Sequence, residues 1–194
     1  MSFSWRNFIV SKKKQTKEAR NAGHELWMHM PMEPRSLTID PGPNVLLTGL
    51  PKEDLQAAIQ WNLKQFSDYV GINNHMGSRF TADLESVRIF MGELKKHNLM
   101  FLDSRTSNHS IAQRAAIESE VPFIVRNIFI DHLDDTEEIK KSLAQVERLA
   151  LKLGYAVAIG HPRDKTLSEI GPWLNSIENK GFQLVPLSKL IKRP

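Results

Sequence analysis

The 194-residue chain contains no cysteine, which excludes disulfide scaffolds, thiol catalysis and thiolate zinc sites. A metal in this protein must therefore be held by His, Asp or Glu. It also lacks any run near the roughly 20 apolar residues of a membrane span. The opening Met1 to Val10 is broken by Ser4, Arg6 and Asn7, so it lacks the continuous apolar centre of a secretory signal. Charge of one sign is scarce as well: 26 Lys and Arg stand against 22 Asp and Glu, a formal +4. The basic residues gather near the termini, at Lys12 to Arg20 and Lys189 to Arg193, where they are commonly just solvated, so nucleic acid is not the expected partner.

What is present is the composition of a globular domain, 41% hydrophobic and 25% charged, and its length suits one domain over 1–194. Short apolar runs alternate with segments of helical period, the pattern of an α/β architecture. The predicted strands are Leu26–Met30, Val70–Asn73, Met100–Asp103, Phe123–Val125, Ile128–Asp131, Ala156–Gly160 and Phe182–Val185, with a further short one at Phe8–Val10 before a helix from about Lys12. Between them run three apolar stripes: Leu55, Ile59, Leu63 and Phe66; Leu84, Val87, Met91 and Leu94, with Thr81 as expected N-cap; and Ile139, Leu143, Val146, Ala150 and Leu153, closed by Gly154. Thr166 to Glu169 has capping-box spacing ahead of another helix, which Pro172 should kink or delay. Pro31 to Leu50 is the one long irregular stretch, a length that often shapes a site.

The polar residues of chemical interest fall near predicted strand ends: His29, Glu33, Asn74, His75, Asp103, Asp131 and His161. In α/β folds the carboxyl ends of strands meet on one rim, so separate segments can bring ligands together there. His29 and Glu33 offer a neutral imidazole and a carboxylate, suited to zinc or another divalent ion. The alternative is a surface turn that the two side chains stabilise. Asp103 is placed to orient a His, to bind the metal or to cap the following helix, and Arg126 and Asp131 to form a buried pair or to contact substrate. Trp27 and Trp61 read as core residues before sugar-stacking ones.

Five stretches carry a resemblance: GHELWMHMPMEP at Gly23–Pro34, GINNHMGSRFT at Gly71–Thr81, FLDSRT at Phe101–Thr106, RNIFID at Arg126–Asp131 and AIGHP at Ala158–Pro162. In order and spacing the chain resembles the divergent polysaccharide deacetylases, relatives of the NodB-homology carbohydrate esterases. The resemblance implies a distorted, incomplete (β/α) barrel and carbohydrate metabolism at the cell envelope, outside the cytoplasm. It implies metal-dependent removal of acetyl groups from an N-acetylated polysaccharide or oligosaccharide, with a divalent metal such as zinc. His29 matches the first His of a His-Xaa-Xaa-Xaa-His pair, and Glu33 stands where the second would be. His75 is the next metal ligand implied, with Asn73, Asn74, Ser78 and Arg79 binding substrate. His161 matches the late His that protonates the leaving amine, with Asp103 as the orienting carboxylate. The family's opening strand, with its Asp-Asp pair, has no counterpart before Gly23, so the domain is expected to be shortened at its N-terminus. That departure leaves a second expectation open, a non-catalytic module that binds glycan or protein on the same fold.

Overall fold

The structure is a computed structural model that describes residues 14–36 and 38–191. The strand expected at Phe8–Val10 lies outside the described residues, whereas helix α1 is described over 14–21. The described residues up to Ile124, with Ile191, form one compact unit, and Val125–Leu190 form a second.

In the first unit, strands β1 (Trp27–Met32), β2 (Gly71–Met76), β3 (Met100–Asp103) and β4 (Phe123–Val125) line up in sequence order among the described residues. β1 pairs with β2 and β2 with β3 in parallel register, the expected signature of an α/β fold. Both β1 and β2 run further than the sequence suggests. The extension follows from the alternation along β1: Met28, Met30 and Met32 are buried while His29 is exposed. A period of two over the whole segment sends one set of side chains to the core and the other to the opposite face. His29, Asn73 and His75 are therefore strand residues, not loop residues.

The buried face of the sheet packs against α2 (Lys52–Leu63) and α3 (Leu84–Lys96), whose Leu55, Ile59 and Leu63 and Val87, Met91 and Leu94 are the predicted inward stripes. Phe80, Phe90 and Phe101 form a ladder of edge-to-face rings, with centroids 6.0 and 5.7 Å apart. α3 is capped by Asp83, which accepts from the Ser86 amide, and not by Thr81. Thr81 is buried in the preceding 3-10 turn and donates its hydroxyl to the Gly77 carbonyl. The irregular 31–50 stretch returns to β1 through Leu46, whose amide donates to Pro31 and whose carbonyl accepts from Glu33. α4 (Ala112–Glu118) completes the helices that follow these strands.

In the second unit, β5 (Ile128–Phe129) pairs in parallel with β6 (Ala158–Ile159), both shorter than expected. Helix α5 (Thr136–Leu153) connects them, with Asp135 accepting from the amides of Glu137 and Glu138 at its start and Gly154 left-handed at its end. Ile139, Leu143 and Val146 are buried as predicted, but Leu153 is 47% exposed, because the stripe drifts off the apolar face in the last turn. Helix α6 (Asp164–Ile177) begins before Thr166 and continues through Pro172, so the expected capping box is not its start. The segment Phe182–Val185 is not a strand: it follows the left-handed Gly181 as irregular chain, with Leu184 and Val185 exposed. Apolar composition does not suffice where no strand hydrogen-bonds alongside.

The β1–β2 contact depends on a residue with no side chain. An added Cβ at Gly71 would overlap the Trp27 indole and lie 2.7 Å from the Met100 carbonyl oxygen. The backbone oxygen cannot retreat, so Gly71→Ala is expected to destabilise the fold by about 2–4 kcal/mol, lowering the melting temperature by roughly 5–15 °C. Gly92, inside α3, has open space around its missing Cβ, and Gly92→Ala is expected to raise the melting temperature by a few degrees, about 1 kcal/mol of helix propensity. Differential scanning calorimetry of both variants checks the opposite signs.

Candidate functional site

Register sets the first polar centre. His29 lies opposite Asn73, and Pro31 opposite His75, so one sheet face carries His29, Asn73 and His75 side by side. The Nε2 of His29 is 3.0 Å from the Nδ1 of His75, and the rings meet edge to face at 4.8 Å. The Nδ1 of His29 is 2.7 Å from the amide oxygen of Asn73.

Carbonyl oxygens at the base of this group fix the orientation of Asn73 and the proton on the Nδ1 of His29. Ser104 donates its hydroxyl to the Asn74 carbonyl, so its oxygen is left to accept from the Asn73 amide, which also donates to the Leu102 carbonyl. Asn73 is thereby oriented with its oxygen toward His29, and an amide oxygen only accepts. His29 must carry its proton on Nδ1, and in the neutral ring the Nε2 presents a lone pair to His75. His75 answers with its own Nδ1 proton in the pair as it stands.

Two imidazole nitrogens bound to one zinc ion at about 2.0–2.1 Å stand roughly 3.3 Å apart at the tetrahedral angle. The observed 3.0 Å is close to that edge, and the Asn73 bond on the far nitrogen is the usual outer support of a ligating His. Among the described residues, no group of three or more His, Asp or Glu surrounds the pair. The donor set therefore fits two positions of a metal centre, with the others taken by water, substrate or further groups.

The remaining sequence-predicted residues frame this face. Asn74 points the other way and is fully buried; its amide oxygen accepts from the Ser104 amide and its nitrogen donates to the Met76 carbonyl. Met76 has φ 53°, an uncommon left-handed conformation for a side-chain-bearing residue, and the hydroxyl of Thr106 also donates to its carbonyl. Glu33 ties three segments together: one oxygen accepts from the amide and hydroxyl of Thr48, both at 2.7 Å, and the other pairs with Arg79 at 3.1 Å. Ser78 accepts from the Arg35 amide in the same knot. Asp103 is buried and directs its oxygens to the Arg105 amide and the Ser110 hydroxyl, shaping the 104–110 loop. Trp27 lies over Gly71 in this sheet, whereas Trp61 is 46% exposed on α2 and not in the core.

The second polar centre belongs to the second unit. Asp131 is fully buried; one oxygen accepts from the His161 amide at 2.8 Å and the Thr166 hydroxyl at 3.0 Å, and the other meets the His161 Nδ1 at 3.2 Å. Burial pushes the Asp131 carboxyl up, but the His161 amide, the Thr166 hydroxyl and the His161 ring together outweigh it and hold the group below the usual carboxylate range. Asp131 thus orients His161, the role that the sequence reading gave to Asp103. The bonds to the Asp131 carboxylate come from His161 and Thr166, and the Arg126 guanidinium lies over the Phe129 ring at 5.5 Å. The spacing of 30 residues between Asp131 and His161 hides this pair from a local motif. The strand-end position of both is the signal that could have found it.

No helix of the described residues is long and apolar enough to cross a membrane. The profile of the divergent polysaccharide deacetylase family matches residues 1–191. An uncharacterized protein of Haemophilus influenzae is 33% identical over 177 residues, covering 91% of this chain and 62% of the relative. The uncharacterized protein YibQ of Escherichia coli K12 is 33% identical over 178 residues, covering 91% of this chain and 55% of that protein. The chain thus spans less than two thirds of the length of these curated relatives. The crystal structure of an uncharacterized protein from Agrobacterium tumefaciens C58 superimposes with a TM-score of 0.88 at 26% identity, over 91% of this chain and 72% of that one. With a parallel-stranded α/β fold and a family profile matched along nearly its whole length, this chain belongs to the divergent polysaccharide deacetylase family, a carbohydrate-related group.

Proposed function

We propose that the chain takes part in metal-dependent hydrolytic deacetylation of an N-acetylated polysaccharide or oligosaccharide of the cell envelope. The observation that carries this reading is the 3.0 Å approach of His29 and His75, with the outer nitrogen of His29 bonded to Asn73. A divalent ion such as zinc would supply Lewis-acid polarisation of the acetyl carbonyl and an activated water. His29 would bind it through the Nε2 lone pair that Asn73 enforces. His75 would use Nδ1, after its proton moves to Nε2. Asn73 is a positioning residue, as are Asn74 and Asp103, while Glu33 holds Arg79, and the Arg35 amide holds Ser78, for contact with the glycan.

His161 is assigned the acid. Its Nδ1 faces the carboxylate of Asp131, which leaves Nε2 as the nitrogen that would carry a proton to a leaving amine. Asp131, held ionised, orients the ring without taking its proton.

A second reading has its own observation. His29 and His75 meet by a direct hydrogen bond, a contact that a glycan-binding module could keep with no ion. Metal stoichiometry separates the two. Zinc titration of metal-depleted protein is expected to reach one ion per chain in the wild type. His29→Ala is expected to lose it and to reduce acetate release from N-acetylated oligosaccharides by at least about 100-fold. Unchanged stoichiometry and hydrolysis in His29→Ala would overturn the proposal. Asn73→Ala should weaken zinc binding by about 10- to 100-fold while leaving the ion count at one.

The Asp131 carboxylate predicts an acid limb in stability. Its folded value is depressed, so its contribution is present above the ordinary carboxylate range and is lost as pH falls through the folded value. At neutral pH, Asp131→Asn is expected to melt well below the wild type. The gap should begin to narrow as pH falls below about 4 and close only lower, once the depressed carboxyl of the folded state is protonated as well. Thermal melts across that range measure it.

A further inference from the structure

Helix α6 buries the wrong kind of side chain at its start. Thr166 is 1% exposed, while Leu167, the next residue, stands 56% exposed, and Asp164, Lys165 and Ser168 are exposed around them. Apolar burial alone would favour the reverse, with the leucine inside and the hydroxyl in water. A threonine hydroxyl within a helix ordinarily turns to solvent or bonds the carbonyl one turn back. That of Thr166 leaves the helix and donates to the Oδ2 of Asp131 at 3.0 Å.

The effect of this bond follows from the carboxylate that receives it. Oδ2 takes donors from two segments, the His161 amide at 2.8 Å and the Thr166 hydroxyl, whereas Oδ1 meets the Nδ1 of His161 at 3.2 Å. A carboxylate turns about its Cβ–Cγ bond over a broad, two-fold range, so its donors set its plane. Two donors on Oδ2 leave Oδ1 aimed at the imidazole. The packing is close on this side: a Cβ on Gly160 would lie 3.6 Å from both the Asp131 Oδ1 and the Thr166 methyl. Arg163 meets the same residue at its backbone, donating to the Asp131 carbonyl at 3.0 Å. The exposed Lys165 donates to the Asp134 carbonyl.

We propose that Thr166 is a positioning residue for His161, its hydroxyl fixing the Asp131 carboxylate so that the imidazole keeps a proton on Nδ1 and leaves Nε2 for chemistry. The inference rests on the reading of His161 as the acid and extends that reading one residue beyond the direct contact with Asp131.

The tautomer of His161 can be read without substrate, by 15N NMR of the imidazoles in the full chain at about pH 8, where an ordinary imidazole is neutral. The signals lost in His161→Ala assign it. The wild type is expected to hold the Nδ1–H form in excess. Thr166→Val is expected to lower the ratio of Nδ1–H to Nε2–H by about tenfold, and Thr166→Ser to keep it within about twofold. Acetate release, scored separately, should lose about tenfold in kcat at unchanged KM in Thr166→Val and recover in Thr166→Ser. Thr166→Ala, which brings no bulk against the carboxylate, carries the test where Thr166→Val fails to fold. A threonine with a purely structural role would lower the melting temperature when replaced and leave the tautomer ratio unmoved. That result, an excess of Nε2–H in the wild type, or a serine variant that matches the valine one would overturn the inference. A tautomer shift that serine rescues, with no acetate release from any form, leaves the positioning of His161 standing and removes the hydrolase. Acetate release with a tautomer ratio untouched by Thr166→Val does the reverse.

Discussion

Parallel register between β1 and β2 is the constraint from which the first polar centre follows. Pairing His29 with Asn73 and Pro31 with His75 sets three polar side chains on one face, while the alternate residues Met28, Met30 and Met32 enter the core. A slip of one residue would exchange the two sets and bury the imidazoles. The hydrophobic core thus specifies the imidazole geometry: the energy of burying one face of the sheet fixes what the other presents. Gly71 belongs to the same constraint, since a Cβ there would overlap the Trp27 indole.

A chain of hydrogen bonds then converts position into protonation. Leu102 and Asn74 contribute carbonyl oxygens, which can only accept, and from them the direction of each bond passes through Ser104 and Asn73 to His29. The pair in the second unit follows similar logic with a charge at its root, because Asp131 is buried, ionised and saturated with donors. In both cases a buried acceptor dictates which nitrogen of an exposed ring is available for chemistry.

The α/β class, the core stripes of α2, α3 and α5 and the placement of His29, His75 and His161 on or beside strands were legible in the sequence, because each rests on period, residue type or motif. Strand ends were not. β1 and β2 continue past the predicted boundaries since Pro31 and Asn74 look like turn residues until the neighbouring strand is present. Phe182–Val185 failed in the opposite direction, being apolar without a partner. The roles of Asp103 and Asp131 could not be told apart along the chain. Both follow short apolar strands, and only the fold turns one to its own loop and the other to an imidazole. Ser104 and Thr106 gave no signal, because a hydroxyl that orders an amide is identical in sequence to one that meets solvent.

The inward face of β1 consists of three thioethers, at Met28, Met30 and Met32. Such unbranched, polarizable chains readjust their rotamers at small cost when a neighbour changes size. Helices α2 and α3 can thus drift in sequence against this strand, with the thioethers absorbing each change of volume before it reaches the backbone. The layer behaves as a cushion, separating evolutionary variation on the helical side from the sub-ångström placement of nitrogen lone pairs on the other.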